Sequence, residues 1–313
     1  MSLARAIELA GAAAGRAYPK PTVGAVVAKD GEIVAEGVTE QGGRHGEVVA
    51  LDAAGAAARG ATLFVTLEPC AHYGSTPPCV DRVIAAGVER VVVGARDPNP
   101  EAAGGIEALV AAGVEVELLD DWEARVQNEE WRVWVAEGRP FVTYKVAATL
   151  DGRVVVPGRR WVTGEAARRL VHELRASSDA VAVGMGTVRA DAPSLDARGV
   201  ATPRGQPRRL AFGHGPLPDG SALELLSGPL ADELRALAAE GVQSLLLEGG
   251  PTLAGAFVEA GLVDKLLVVV APVLAGGDGP RVLPRLGSVL DLSHLSARLV
   301  GEDVLLEAYV HEP

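Results

Sequence analysis

Cysteine is nearly missing from this chain: Cys70 and Cys79 are the only two in 313 residues. Disulfides therefore cannot organise the fold, although the pair could form one bridge or simply be buried apolar side chains. Aromatic residues reach only 4%, so any core must rest on Ala, Val and Leu. Basic charge is in deficit, with 29 Lys and Arg against 41 Asp and Glu, a formal net charge of −12. No basic run appears, which argues against a nucleic-acid partner and against an anionic membrane surface. No apolar run reaches the ~18–20 residues of a membrane span. The first residues carry an acid at Glu8 and do not resemble a signal peptide. A cytoplasmic location is expected, in line with thiols that are not used for disulfides.

What is present is apolar substance, 48% of the residues, enough for two cores and two domains at ~100–200 residues each. Strand and helix patterns alternate through the first half. A helix is expected over 3–16, strands over 23–29 and 32–36 around the hairpin signal Asp30-Gly31, and a helix from about Gly46. Further strands are expected at 61–67, 90–95 and 114–118, with helices at 79–86 and 104–112. Residues 121–137 read as a helical connector, and Glu137-Gly138-Arg139-Pro140 as a breaker. The division is placed there, at 1–138 and 139–313. Beyond it strands are expected at 141–148, 179–184, 207–212, 243–247 and 264–271, with helices at 164–176 and 251–260. Such alternation implies layered α/β domains.

The two cysteines gain meaning from their surroundings. His45-Gly46-Glu47 lies upstream, and a proline precedes each cysteine, at Pro69 and Pro78. One imidazole and two thiolates, at His45, Cys70 and Cys79, suit Zn2+ and leave a fourth position open, the pattern of a catalytic site. H-x-E followed by P-C and a second Cys is the zinc deaminase signature, in which the Glu is no ligand but a proton carrier. Glu47 takes that role. Gly42 and Gly43 break the chain before His45, so His45 and Glu47 are expected at the irregular first turn of a helix. Thr76 as N-cap with Pro77 and Pro78 would place Cys79 at a helix start, where the dipole favours thiolate.

The second half has no cysteine, so no thiolate metal site. Gly184-Met-Gly186 after an apolar strand is either part of a nucleotide site or a strand-end turn. Glu248-Gly-Gly250 before Pro251-Thr252 is a strand, a Gly-rich turn and a helix start, suited to binding phosphate through backbone N–H groups. Lys145, in an apolar strand, needs a partner for its charge; it either acts on substrate or snorkels from the strand end. Arg175 is either a phosphate ligand or a solvated helix charge.

Several long segments together carry a resemblance. In the first half they are Pro19-Lys-Pro-Thr-Val-Gly24, His45-Gly-Glu47, Val65-Thr-Leu-Glu-Pro-Cys-Ala-His-Tyr73, Thr76-Pro-Pro-Cys79 and Arg96-Asp-Pro-Asn-Pro100. In the second they are Lys145-Val-Ala-Ala-Thr-Leu-Asp-Gly-Arg153, Trp161-Val-Thr163, Gly184-Met-Gly-Thr-Val188, Asp191-Ala-Pro-Ser-Leu195 and Leu247-Glu-Gly-Gly-Pro-Thr252. The first half resembles the cytidine-deaminase-like superfamily, and the whole chain resembles the bifunctional riboflavin-biosynthesis family, a pyrimidine deaminase fused to a pyrimidine reductase. The resemblance implies a three-layer α/β/α deaminase domain followed by an α/β domain similar to dihydrofolate reductase. It implies Zn2+ and NADPH as cofactors and a small phosphoribosyl pyrimidine as substrate. The substrate is first deaminated, and its ribosyl unit is then reduced to ribityl. It places Ala148, Trp161, Thr187, Asp191 and Gly250-Pro251-Thr252-Leu253-Ala254-Gly255-Ala256 at NADPH, with Lys145 as the group acting on the sugar. It assigns Thr163, Arg175, Leu195, Arg198 and Glu248 to the substrate, Arg175 and Arg198 as phosphate ligands.

The chain departs from that family at Lys20, where Asn is usual, at Thr39, where His is frequent, and at Ser75, where Lys or Arg stands. Gly164 replaces a usual Ser, and the loop 37–45 is one residue shorter. Lys20 is expected to bind substrate and supply the phosphate charge that Ser75 lacks. A homodimer or higher homo-oligomer is expected from the apolar strands of the second half. A different zinc deaminase and a scaffold with one inactive domain are the rival readings, and ammonia release with NADPH oxidation separates them.

Overall fold

The structure, a computed structural model, describes residues 2–74, 77–283 and 286–313. The chain divides into two compact units, one running to Glu137 and one from Gly138 to Glu312. The first contains α1 (Ser2–Ala12), β1 (Gly24–Lys29), β2 (Glu32–Val38), α2 (Gly46–Ala54), a 3-10 turn (Gly55–Ala58) and β3 (Thr62–Leu67). It continues with α3 (Cys79–Ala86), β4 (Arg90–Ala95), α4 (Gly105–Ala111), β5 (Glu115–Leu118), α5 (Trp122–Val126) and α6 (Glu129–Glu137).

Its sheet has the order β2-β1-β3-β4-β5. β1 is antiparallel to both β2 and β3, and β3, β4 and β5 run parallel. The β1–β2 hairpin turns at Asp30 (φ 52°) and Gly31 (φ 84°), the left-handed pair that the Asp-Gly signal predicts. One face of the sheet, with Ala25, Val27, Leu63, Val65, Val91 and Val93, packs on Leu51 of α2, Val80 and Val83 of α3 and Leu109 of α4. The other face is set close to α1 and α5: a Cβ at Gly24 would strike the Ala6 carbonyl, and one at Gly94 would strike Ala124. Helices on both faces of a sheet give the three-layer α/β/α arrangement. The stretch 121–137 is not a free connector. Trp131 of α6 is buried in this core, and the Asn128 amide makes two hydrogen bonds to the Thr22 backbone, at 2.9 and 3.0 Å.

The second unit contains β6 (Phe141–Thr149), α7 (Glu165–Ser177), β7 (Ala180–Gly184), α8 (Met185–Asp191), β8 (Arg208–Phe212) and β9 (Glu224–Leu226). It ends with α9 (Leu230–Ala239), β10 (Ser244–Leu247), α10 (Pro251–Glu259), β11 (Lys265–Ala271), β12 (Ser293–Val300) and β13 (Asp303–Tyr309). The sheet order is β12-β13-β11-β6-β10-β7-β8-β9. Its central strands are parallel, and β12 and β13 add antiparallel to the β11 side. Tyr144, Leu245, Leu247 and Phe212 face α9 and α10 through Leu234 and Phe257. On the opposite face, Val181, Val183 and Leu246 meet Met185 and Val188 of α8, and Leu267 and Val269 meet Ala167 of α7. The unit opens on a buried ion pair: Arg139 donates to both oxygens of Asp264 at 2.7 Å, and Asp264 also accepts the Val142 N–H.

Candidate active site

In the first unit the site is built by elements that converge at one end of the sheet. His45 is the N-cap of α2 and Glu47 lies in its first turn, as the glycine break predicts. The turn sits hard against the start of β1: a Cβ at Gly46 would lie 2.4 Å from the Val23 carbonyl, so no larger residue fits between His45 and Glu47. Cys70 follows β3, and Cys79 is the first residue of α3, with Pro78 as its N-cap. Thr76 and Ser75 lie outside the described residues. Gly105 opens α4 directly over the Pro69 carbonyl, which a Cβ would strike.

These placements bring the donors of His45, Cys70 and Cys79 within 4.8 Å of one another. His45 Nδ1 is 3.1 Å from Cys79 Sγ and 3.6 Å from Cys70 Sγ, and the Cys79 N–H points at Cys70 Sγ at 3.4 Å. Both thiols are free and buried. One soft nitrogen and two soft sulfurs meeting at one point fit zinc. The hydrogen bond with Cys79 is the main reason that the Cys70 thiol is held down, to about 4. The same contact, together with burial and nearby Glu47, pushes Cys79 up. The two thiols therefore share their proton as a pair, and both have to give it up when a metal is held. The Cys70 contact also raises His45. Glu47 is 3% exposed, burial pushes its carboxyl up, and its Oε2 has no hydrogen-bond partner. A buried carboxylate oxygen without a partner calls for a ligand.

A cavity of about 450 Å³ opens over this cluster and is lined by Lys20, Thr39, His72, Asp97, Asn99 and Trp131 among others. Thr39 is engaged elsewhere, its hydroxyl accepting the Val23 N–H at 2.9 Å. His72, Asp97, Asn99 and Trp131 were not among the expected site residues, although the first three lie in the motifs 65–73 and 96–100. Burial raises Asp97 to about 6. Glu68 braces this wall by accepting the N–H groups of Ile106 (3.0 Å) and Asp97 (3.2 Å).

In the second unit a buried charge cluster forms where β6, β10 and α7 meet. Arg175 Nε and Nη2 donate to the two oxygens of Glu248 at 2.6 and 3.0 Å, and Lys145 Nζ lies 3.9 Å from Glu248 Oε2. Burial lowers Lys145. Burial would raise Glu248, but Lys145 and Arg175 overcome it and keep the carboxylate low. Arg175 is thus no solvated helix charge; its third direction goes to the Asp196 carbonyl at 3.1 Å. Arg198 is largely exposed, 3.5 Å from Asp196, and its N–H reaches His172 Nδ1 at 3.2 Å. Leu195 is buried at φ 54°.

Gly184 caps α8 instead of ending in a bare turn, so Thr187 lies in the first turn of a helix and Asp191 at its end. Gly250 caps α10 with Pro251 at its first position. A Cβ on Gly250 would sit 3.5 Å from the Thr187 hydroxyl, an ordinary contact distance, so the starts of α8 and α10 lie next to each other. Residues 250–256 and Thr187 fit a nucleotide phosphate there. Ala148 is buried in β6, while Trp161 is exposed under the guanidinium groups of Arg160 and Arg168. Trp161 and Thr163 line one cleft with Val273 and Asp303, and Pro251 and Thr252 line another. Gly164 is the N-cap of α7, without a side-chain cap, and its own N–H donates to the Asp303 carboxylate at 2.8 Å.

Comparison with known proteins gives the same two parts. The family model for the cytidine and deoxycytidylate deaminase zinc-binding region matches residues 2–95, and that for the RibD C-terminal domain matches 140–306. The riboflavin biosynthesis protein RibD of Mycobacterium tuberculosis is 42% identical, covering 93% of this chain and 91% of that protein. RibD of Escherichia coli is 37% identical, covering 97% of each. Among solved structures, Acinetobacter baumannii RibD superimposes with a TM-score of 0.84 at 34% identity, covering 98% of this chain and 97% of that one. The deaminase/reductase of Thermotoga maritima gives 0.77 at 32%, with the same coverage. The chain belongs to the RibD family of bifunctional riboflavin-biosynthesis enzymes, in which a zinc-dependent deaminase domain precedes an NADPH-dependent reductase domain.

Proposed function

We propose that the substrate of the first step is diaminohydroxyphosphoribosylaminopyrimidine, and that residues 1–138 deaminate it while residues 139–313 reduce the ribosyl unit of the product. His45, Cys70 and Cys79 would hold zinc. Bound zinc supplies Lewis acidity that lets water lose a proton near neutral pH. Glu47 takes that proton and returns it to the departing amine. The observation that carries this reading is its buried Oε2, unpartnered beside the three donors. Lys20, on the cavity wall, faces the substrate as a cation.

In the second unit NADPH, when bound, supplies the hydride. Gly250 to Ala256, Thr187, Asp191, Ala148 and Trp161 hold the cofactor, and Thr163, Leu195 and Arg198 the substrate. Lys145 donates a proton to the sugar oxygen or nitrogen as the hydride arrives, and Glu248 binds substrate hydroxyl groups. Arg175 orients Glu248 by its two-point contact and stays close enough to the Asp196 loop to meet the phosphate. The deciding experiment supplies the phosphoribosyl diaminopyrimidine and follows ammonia with and without NADPH. Ammonia released in both cases, with NADPH consumed only after it, is the expected result; no ammonia from zinc-loaded protein would overturn the first assignment.

Assembly as a homodimer or higher oligomer is supported by β12, an outer strand whose Leu295 and Leu299 are 69% and 73% exposed. Sedimentation that returns a monomer at all concentrations would end that reading. Among the described residues no helix is long and apolar enough to cross a membrane. A cytoplasmic site of action is supported by thiols that must stay reduced to serve as ligands.

A further inference from the structure

The segment that begins at Lys145 ends in Asp151-Gly152-Arg153, three residues that the reduction chemistry leaves unused. They leave β6 in a tight turn, with Gly152 at φ 77° and the Arg153 N–H on the Thr149 hydroxyl at 2.9 Å. From this turn both charged side chains reach the same neighbour, the irregular stretch that follows β11. The two oxygens of Asp151 accept the N–H groups of Ala275 (3.0 Å) and Gly276 (2.8 Å). Arg153 does the converse: Nη1 donates to the Gly279 carbonyl at 2.5 Å, and Nη2 to the Gly277 carbonyl. Backbone bonds close the seam, from Leu150 to Val273 (2.9 Å), from Val154 to Pro280 (3.0 Å) and from Val282 to Gly152 (3.3 Å). An anion thus satisfies two amides and a cation two carbonyls of a stretch with no strand of its own, groups that need partners. The Thr149 hydroxyl, followed by the two amides, holds Asp151 down at about 2, so the contact stays charged at any ordinary pH.

The fastened stretch has a definite neighbour. Asp278, Gly279, Pro280 and Arg281, with Arg153, line a cleft of about 430 Å³ whose opposite side is Pro251 and Thr252, the first residues of α10. Two guanidinium groups against one carboxylate leave the cleft cationic. No ion pair of Arg153 or Arg281 with a carboxylate occurs among the described residues. Two anionic ligands belong to this unit, NADPH and the phosphoribosyl substrate, and the cleft borders the start of α10, where the cofactor is read to bind.

We propose that Asp151 and Arg153 are positioning residues for the reductase: their clasp fixes residues 273–282 as a wall of the cofactor cleft and sets Arg281 to meet a phosphate group of NADPH. The proposal rests on the reading of the Gly250 turn as the cofactor site.

The test titrates NADPH alone into the full-length zinc-loaded protein, following nucleotide fluorescence, for the wild type, Asp151→Asn, Arg281→Ala and the double variant. Ammonia release is measured on the same samples as an internal check of folding. Each single variant is expected to weaken NADPH binding about tenfold, the scale of one charge-assisted contact, with ammonia release unchanged. Because the clasp acts through Arg281, the double variant should be scarcely weaker than either single one, a non-additivity that general destabilisation does not produce. Arg153→Lys, which keeps the charge but not the two-point fork, should fall between wild type and Asp151→Asn. NADPH affinity unchanged in Asp151→Asn or Arg281→Ala overturns the proposal, as do losses that simply add. Failure of the wild type to bind NADPH would instead overturn the cofactor reading, and the clasp with it.

Discussion

The first unit gathers its chemistry from scarce residue types, one His and the only two Cys, into a cluster under 5 Å across. The second spreads its chemistry over β6, α7, α8, β10 and α10, using common residues and much backbone. A metal needs specific donor atoms, and those have to be encoded as particular side chains. A dinucleotide is held largely by amides, helix starts and the absence of Cβ atoms. The two halves therefore differ in how sharply a single substitution can silence them.

That difference can be broken or sharpened in steps. Cys79→Ser or His45→Ala should remove both zinc and all measurable ammonia release, while NADPH oxidation on the already deaminated compound persists. Elemental analysis alongside the two assays decides it. Glu47→Gln should keep its zinc and lose roughly a thousandfold in ammonia release, the range of general acid–base catalysis; a variant losing less than tenfold would remove Glu47 from the chemistry. Lys145→Met should slow NADPH oxidation by about a hundredfold with deamination intact. Burial lowers Lys145, against the pull of Glu248 and with the push of Arg175. The protonated amine is the donor, so wild-type NADPH oxidation should decline with rising pH below the ordinary lysine value of 10.5. An alkaline limb that survives in Lys145→Met belongs to another group.

Arg139→Met probes stability instead. It strands Asp264, which is fully buried, and losing one member of a buried pair costs about 3–5 kcal/mol. The thermal transition of the reductase unit should fall by on the order of 10 °C, with ammonia release at room temperature unaffected. Equal loss of both activities at that temperature would show that the units do not hold their stability separately. The smallest effect is expected at Lys20→Ala, a several-fold rise in the deaminase KM, given one exposed cation–phosphate contact. An unchanged KM would leave the phosphate to other groups.

How much of this was legible follows the same division. His45, Glu47, Cys70 and Cys79 were readable because rare residues at fixed spacings constrain one another, and the Asp30-Gly31 hairpin because its left-handed turn demands those residues. The clustering of Lys145, Glu248 and Arg175 was not. Their identities were visible, but the two-point contact that turns Arg175 inward depends on how α7 lies on the sheet. α8 was missed because seven residues containing Gly186 carry little helical pattern. β13 was missed although Leu305, Ala308 and Tyr309 are buried, and β12 although Leu295, Ala297 and Leu299 alternate. The β12 face that these three form is exposed, so the usual apolar-in signal is inverted. Asp97 and Asn99 stood in a recognised motif yet gave no hint of function, since only the folded chain brings residues 96–100 over the His45 turn.

The seating of α6 bears on how the gene is divided. Trp131 closes one side of the deaminase cavity and Asn128 ties down the Thr22 backbone. A shortened reading frame that stopped where the last strand of the first sheet ends would discard a wall of the pocket it meant to isolate. Expression of the amino-terminal enzyme by itself has to carry the message through Glu137.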